Sequence, residues 1–225
     1  MKMKVTHSGY VISDKVVNAL SYGVPQFRER ILMVGFWGND FRRKGVLNVD
    51  ERNYFSFPWE KYKQFDIEKI LSLNWPVAEE FKENSKRDFV YDVPESLTVE
   101  YWFRKNKVTE HPNQNKVFSV KDGLEKIKRI FEGDTKRKSF KRLHRWKYSP
   151  TAAYGNNEVH LHPYKVRRLS VAEAMAIQSL PEKFILPNDI PLTAMFKMIG
   201  NGVPYLMAEC IAKTLKELVS QVYDV

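Results

Sequence analysis

The sequence predicts an α/β fold with a long, irregular, basic stretch in its middle, and three observations lead there. Ile31-Leu32-Met33-Val34-Gly35-Phe36 is an uninterrupted apolar run of strand length, as expected of a strand covered on both faces of a sheet. The last third of the chain carries helix signals at regular intervals. Between them lies a region with no dominant period, rich in aromatics, Asn and Lys, and broken at Trp75-Pro76, Val93-Pro94 and His111-Pro112.

Taken in order, residues 1–38 are compact and apolar. Tyr10-Val11-Ile12 and Val16-Val17 read as short strands preceding the apolar run. A strand buried on both faces needs neighbours that 38 residues cannot all supply, so this zone is expected to dock on something larger. Residues 39–162 form the middle zone, where short strands and long loops are expected. One helix fits there, over Val120–Phe131, with Val120, Leu124, Ile127, Ile130 and Phe131 apolar. Residues 163–225 are helical. Ser170-Val171-Ala172-Glu173 is a capping box, opening a helix that should run to about Ser179 and stop before Pro181. A second helix starts near Pro204, a residue well tolerated at a first helical position. Met207, Ile211, Leu215, Leu218 and Val222 keep helical spacing on it and form a core face. Cys210 lies inside this helix and reads as a buried structural thiol.

The 225 residues suffice for one large domain or two small ones. One cysteine excludes an internal disulfide and a multi-cysteine zinc site. No run approaches the ~18 apolar residues of a membrane span, and the start shows no signal-peptide stretch, so a cytoplasmic location is expected. The net charge of +10 is localised: residues 101–148 hold 15 Lys/Arg against 5 Asp/Glu, and the rest balances at 22 of each. Such a stretch suits a polyanion, because cations on phosphates release condensed counterions. A solvated basic surface would look the same, but interleaved Tyr101, Trp102, Phe103, Phe131, Phe140, Trp146 and Tyr148 favour nucleic acid. Arg137, Lys138, Lys141, Arg142 and Arg145, beside Lys136, form the candidate phosphate-contacting cluster. His160 and His162 could share a strand face, but no third ligand is near and no metal site is expected.

The most informative segment is Tyr22-Gly23-Val24-Pro25-Gln26-Phe27-Arg28-Glu29-Arg30. A Gly-Pro turn delivers Gln26, Arg28 and Arg30, at alternate positions, to the mouth of the apolar strand, where extended backbone puts them on one face. Arginine forks suit phosphates and the acceptor edges of bases; spacing alone equally allows a surface arginine pair beside a structural turn. This segment resembles the eighth conserved block of cytosine-5 DNA methyltransferases. Tyr148-Ser149-Pro150-Thr151-Ala152 resembles the segment closing that family's target-recognition domain. Arg168–Glu173 and Gln178–Phe184 resemble the ninth block, and Met198-Ile199-Gly200-Asn201-Gly202-Val203-Pro204 the tenth. All stand in the family's order, across the whole chain. Phe27, Gly202 and Ser179-Leu180 depart from the usual residues, and none of these removes a group with an expected chemical role.

The resemblance implies the C-terminal part of an S-adenosylmethionine-dependent methyltransferase core (1–38), a target-recognition domain (39–162) and a bracing helical segment returning to the core (163–225). It implies that Arg30 contacts the oxygen at position 2 of a flipped cytosine, with Gln26 and Arg28 supporting. It also implies that Asn201, Gly202 and Val203 complete the cofactor pocket. A turn at a helix N-terminus suits this, since free amides there attract an anion; an ordinary helix entry would have the same sequence. The Pro-Cys, Glu-Asn-Val and Phe-x-Gly-x-Gly motifs of the family are not in this sequence. Attack on cytosine needs an activated, accessible thiolate, which a mid-helix Cys210 does not offer. The expectation is therefore the DNA-recognition half of a methyltransferase for duplex DNA within restriction–modification, inactive until a partner chain brings the nucleophile. A non-catalytic DNA-binding relic and a piece of a longer single-chain enzyme are the alternatives.

Overall fold

The computed structural model describes residues 8–38, 48–120, 123–152, 154 and 159–223, with side chains to residue 221. It is a mixed α/β chain whose only named sheet, among these residues, is a two-stranded antiparallel ribbon. β1 (Tyr10–Asn18) pairs along its whole length with β2 (Glu29–Trp37), from Tyr10 opposite Trp37 to Asn18 opposite Glu29. The two short strands expected around Val11 and Val16 are thus one. Asp14 and Lys15 interrupt the apolar pattern, but their backbones stay in the ladder opposite Met33 and Leu32. A 3₁₀ turn, Ala19–Tyr22, joins the strands and ends on Gly23 at φ +82°, where a Cβ would come within 2.5 Å of Gln64 Oε1. Only glycine fits both the left-handed backbone and that close approach.

Alternation along the ribbon separates two faces. Val11, Val17 and Val34, with Leu32 and Phe36, pack on Phe55, Phe57 and Trp59 and on the last helix through Met207, Cys210 and Leu218. The other face is exposed at Tyr10 and Trp37 and at Val16 and Ile31, with Ile31 at 68% and Trp37 at 48%, while Ile12 between them is buried. The expectation of a strand covered on both faces is therefore met on one face only.

The middle of the chain is less stranded than expected: its extended contacts, among described residues, are isolated bridges such as Glu79 with Glu132 and Arg142 with Leu161. Its regular elements are short helices: α1 (Ile67–Ser72), α2 (Val99–Lys105) and α3 (Leu124–Lys128). The helix expected over Val120–Phe131 is reduced to α3, preceded by Gly123 at φ +95°; residues 121–122 lie outside the described set. α4 (Val171–Ile177) has the expected capping box, with Ser170 Oγ accepting from the Glu173 amide and the Glu173 carboxylate accepting from the Ser170 amide. All of α4 is buried, in a core that also takes Trp102 and Phe103 of α2 and Met195, Phe196 and Ile199 of a further helix, α5 (Leu192–Asn201). α5 was not expected. α6 (Tyr205–Tyr223) follows and seats Met207, Cys210 and Leu218 on the ribbon, with Ile211 and Leu215 beside them; the Val222 side chain lies outside the described residues. Among these residues no helix is long and apolar enough to cross a membrane.

Candidate functional site

The segments singled out in the sequence converge on one place. Residues 149–152 run beside residues 25–28 as a parallel bridge: the Phe27 amide donates to Ser149 O at 2.8 Å and the Ser149 amide to Pro25 O at 2.9 Å. Thr151 Oγ1 donates to Phe27 O at 2.8 Å, and the Ala152 amide to Gln26 Oε1 at 3.3 Å. Gln26 is therefore buried and occupied in holding this segment.

Arg28 is 1% exposed and works in the same direction. Its Nη1 donates to Ala152 O at 3.1 Å, and its Nη2 to Gly200 O at 2.7 Å and Gly202 O at 3.2 Å. Burial, with the nearby Arg30 charge adding to it, pushes its pKa down to about 10, so it stays a cation at neutral pH. The expected alternation is present: Gln26 and Arg28 are buried, Arg30 is half-buried, and Glu29 between them is exposed. Arg30 is the least buried of the three; among the described residues its Nη1 donates to the carbonyl of its neighbour Glu29, at 2.6 Å.

The Gly200–Val203 region differs from the expected turn. α5 runs through Gly200 to Asn201, and Gly200 packs so tightly on Tyr154 that a Cβ would lie 3.2 Å from its backbone nitrogen. The amides expected to face an anion at the start of α6 are committed internally. The Tyr205 amide donates to Gln178 O at 2.9 Å and the Leu206 amide to Ser179 Oγ at 3.1 Å, while the Gly202 amide returns to Met198 O. Asn201 and Val203 are nonetheless exposed, Val203 at 49%. Gln178 Nε2 donates to Ile199 O at 2.9 Å, so the end of the ninth-block segment and the tenth are joined directly. Ser179 sits at φ +55°, in the left-handed region that non-glycine residues adopt at a cost.

The basic cluster divides. Arg142 is 0% exposed, stacked over the Phe81 ring at 3.7 Å, and donates to the carbonyls of Ile127, Ile130, His162 and Lys165. Arg145 is also buried and grips Glu132 through two 2.8 Å bonds, with Ser85 taking two further donors. Neither guanidinium is placed to meet a phosphate, which corrects that expectation for Arg142 and Arg145. Lys136, Arg137 and Lys138 are exposed and Lys141 is half-buried; Arg137 is paired to Asp134 at 2.6 Å. Lys126, Lys128 and Arg129 of α3 and its end are also exposed, and Lys126, Arg129 and Arg137 line one shallow cleft.

His160 and His162 are both buried, and burial pushes the His160 pKa down to about 3. His162 faces Glu173 at 3.4 Å rather than a shared ligand position. Burial alone would raise the Glu173 pKa, but the His162 charge and the Arg167 hydrogen bonds outweigh it and hold the carboxyl well below its usual range. Cys210 is buried in α6, and burial raises its pKa, which disfavours the thiolate.

Two features of the site escaped sequence reading. The α5 signal was present: Leu192, Met195, Phe196 and Ile199 at helical spacing behind Pro191. The acceptors of Arg28 are main-chain carbonyls, which no side-chain pattern announces.

Arg28 thus joins its own segment to residues 152 and 200–202, and residues 178–179 adjoin the last of these through Ile199 and Leu206. The family model for C-5 cytosine-specific DNA methylase matches residues 1–217, and the chain belongs to that family. Among its relatives, the type II methyltransferase M.NmeDI of Neisseria meningitidis serogroup C is 50% identical over 225 residues, all of this chain and 50% of that protein. M.FnuDI of Fusobacterium nucleatum is 29% identical over 95% of this chain and 57% of its own length. A crystal structure described as a DNA modification methyltransferase encoded within an E. coli prophage shares the fold. Its TM-score is 0.56 at 20% identity, over 97% of this chain and 63% of that one. The chain thus spans about half the length of the curated relatives it matches.

Proposed function

We propose that this chain is the base-holding, DNA-contacting half of a cytosine-5 DNA methyltransferase of the type II restriction–modification kind. Its substrate is duplex DNA with S-adenosylmethionine as the methyl donor, and the nucleophilic cysteine comes from a segment outside it. In this reading residues 1–38 belong to the core sheet, 39–162 to target recognition and 163–225 to the brace. The observation that carries it is the joining of residues 25–30, 149–152 and 198–204 through Arg28, with residues 178–179 alongside and Arg30 half-buried two residues on. Arg30 holds the oxygen at position 2 of a cytosine turned out of the stack, and Gln26 and Arg28 fix the strand from which it reaches. Asn201 and Val203 form one wall of the methyl-donor pocket through exposed side chains, a closer fit to this geometry than an anion held on helix amides. S-adenosylmethionine, when bound, supplies an electrophilic methyl group; this chain's part is to orient base and donor.

The apolar ribbon face of Tyr10, Val16, Ile31 and Trp37 fits the nucleophile-bearing half, since relatives have about as much chain again as is present here. The test is reconstitution. This chain, mixed with a protein carrying the Pro-Cys, Glu-Asn-Val and Phe-x-Gly-x-Gly motifs, labelled S-adenosylmethionine and bacteriophage DNA, gives label in DNA that neither protein gives alone. A verified stoichiometric complex without label sinks the proposal and leaves a DNA-binding module.

A further inference from the structure

Arg28 is buried, and its guanidinium is occupied by main-chain carbonyls of two separate segments. Its two Nη atoms point to different parts of the chain: Nη1 to Ala152, and Nη2 to Gly200 and Gly202. The last two carbonyls close α5, a ten-residue helix whose C-terminal end carries partial negative charge. A buried cation there satisfies carbonyls that would otherwise lack partners. It also fixes that helix end to the backbone two residues before Arg30. Gly200, in van der Waals contact with Tyr154, brings the helix end close enough for this.

We infer that Arg28 is a positioning residue that couples the turn at residues 200–203 to the strand carrying Arg30, so that the donor side and the base side of the site keep one relative geometry. The inference rests on the function proposed above, which assigns those two sides. It goes further in making their coupling the task of one guanidinium. Lysine retains the charge but not the fork, and a single ammonium cannot reach in both directions.

Two measurements test this, one of them without catalysis. Hydrogen exchange on the chain by itself compares wild type, Arg28→Lys and Arg28→Gln. Exchange is expected to accelerate at residues 149–152 and 200–206 in both variants, and to stay unchanged in α4 and the centre of the ribbon. Uniform acceleration, or none, overturns the coupling. In the reconstituted enzyme, R28K is expected to raise the KM for S-adenosylmethionine on the order of tenfold, within the usual range of coupling between sites. A merely structural role would lower the active fraction, and so kcat, at unchanged KM; that result also overturns it. Wild-type reconstitution without methylation refutes the proposed function, and the exchange pattern then still decides whether Arg28 ties the two segments.

Discussion

Replacing Arg142 by leucine separates a structural arginine from a DNA contact. The guanidinium is fully buried and makes four hydrogen bonds to carbonyls, two of them at 2.6 and 2.7 Å, besides stacking on Phe81. Charged-group hydrogen bonds contribute about 1.5 kcal/mol each at the low end, which sets a gross loss near 6 kcal/mol. Burying the charge costs several kcal/mol, and the variant is relieved of that cost; the lowering of the pKa to about 10 is its signature. The leucine in turn leaves carbonyls of Ile127, Ile130, His162 and Lys165 without donors. The net expectation is a destabilisation of about 3–5 kcal/mol, as for breaking other buried ionic groups. That is a large part of the roughly 5–15 kcal/mol holding a typical domain. Urea unfolding followed by tryptophan fluorescence measures it, with Lys138→Ala as a control expected within about 0.5 kcal/mol of wild type. If R142L unfolds at the wild-type midpoint but loses DNA affinity, Arg142 is a phosphate contact and the placement argued above is wrong.

Three further outcomes are expected. Replacing Lys136, Arg137 and Lys138 together by alanine should lower DNA affinity for all sequences and reduce the log–log salt slope by about 2, since Arg137 is partly engaged by Asp134. Fluorescence anisotropy over a salt series measures this, and an unchanged slope moves the DNA elsewhere. Ile31→Asp, on the exposed ribbon face, should leave the chain's urea midpoint nearly unchanged and abolish co-elution with the nucleophile-bearing half on size exclusion; retained co-elution would show that another face docks. His160 is neutral in the fold, its pKa lowered first by burial and then by the Lys141 charge, to about 3 from 6.5. The unfolded chain therefore takes up the extra proton as pH falls below about 6.5, and stability is lost downward from there at about 1.4 kcal/mol per pH unit. His160→Asn should flatten the urea-midpoint curve between pH 6.5 and 5 by that amount; an unaltered slope would refute the buried neutral imidazole.

What could be read from the sequence was whatever local chemistry dictates. β2 was legible as a strand because its apolar run is of strand length and too short for a typical helix, and the Ser170–Glu173 capping box because it is self-contained within four residues. β1 was read as two pieces because Asp14 and Lys15 break the side-chain pattern, whereas its continuity is set by backbone pairing to β2. Gly200-Asn201-Gly202 looked like a turn because glycine usually marks one. In the fold Gly200 is helical, and its missing side chain makes room for Tyr154. Missing cover on the apolar strand was legible, but which side chains it would expose, Ile31 and Trp37 among them, was not, because the run is apolar on both faces.

The arginines were the hardest to sort, for a physical reason. The fork that suits a phosphate suits a set of main-chain carbonyls equally well, and only the fold decides which it meets. Arg142 and Arg145 lie just after the exposed Lys136-Arg137-Lys138 loop and tie its flanks to α3, to Glu132 and to Ser85. Removing either arginine is therefore expected to free the loop that carries the surface cations, and to lower any DNA affinity that loop supplies although no phosphate contact has been deleted. Affinity alone cannot tell the two kinds of arginine apart. Stability and salt dependence together can: a lost phosphate contact reduces the salt slope at constant stability, whereas a lost anchor reduces stability first. By that criterion, if α3 and the 136–138 loop face DNA, Lys136, Arg137 and Lys138 should move the salt slope and Arg142 and Arg145 the stability.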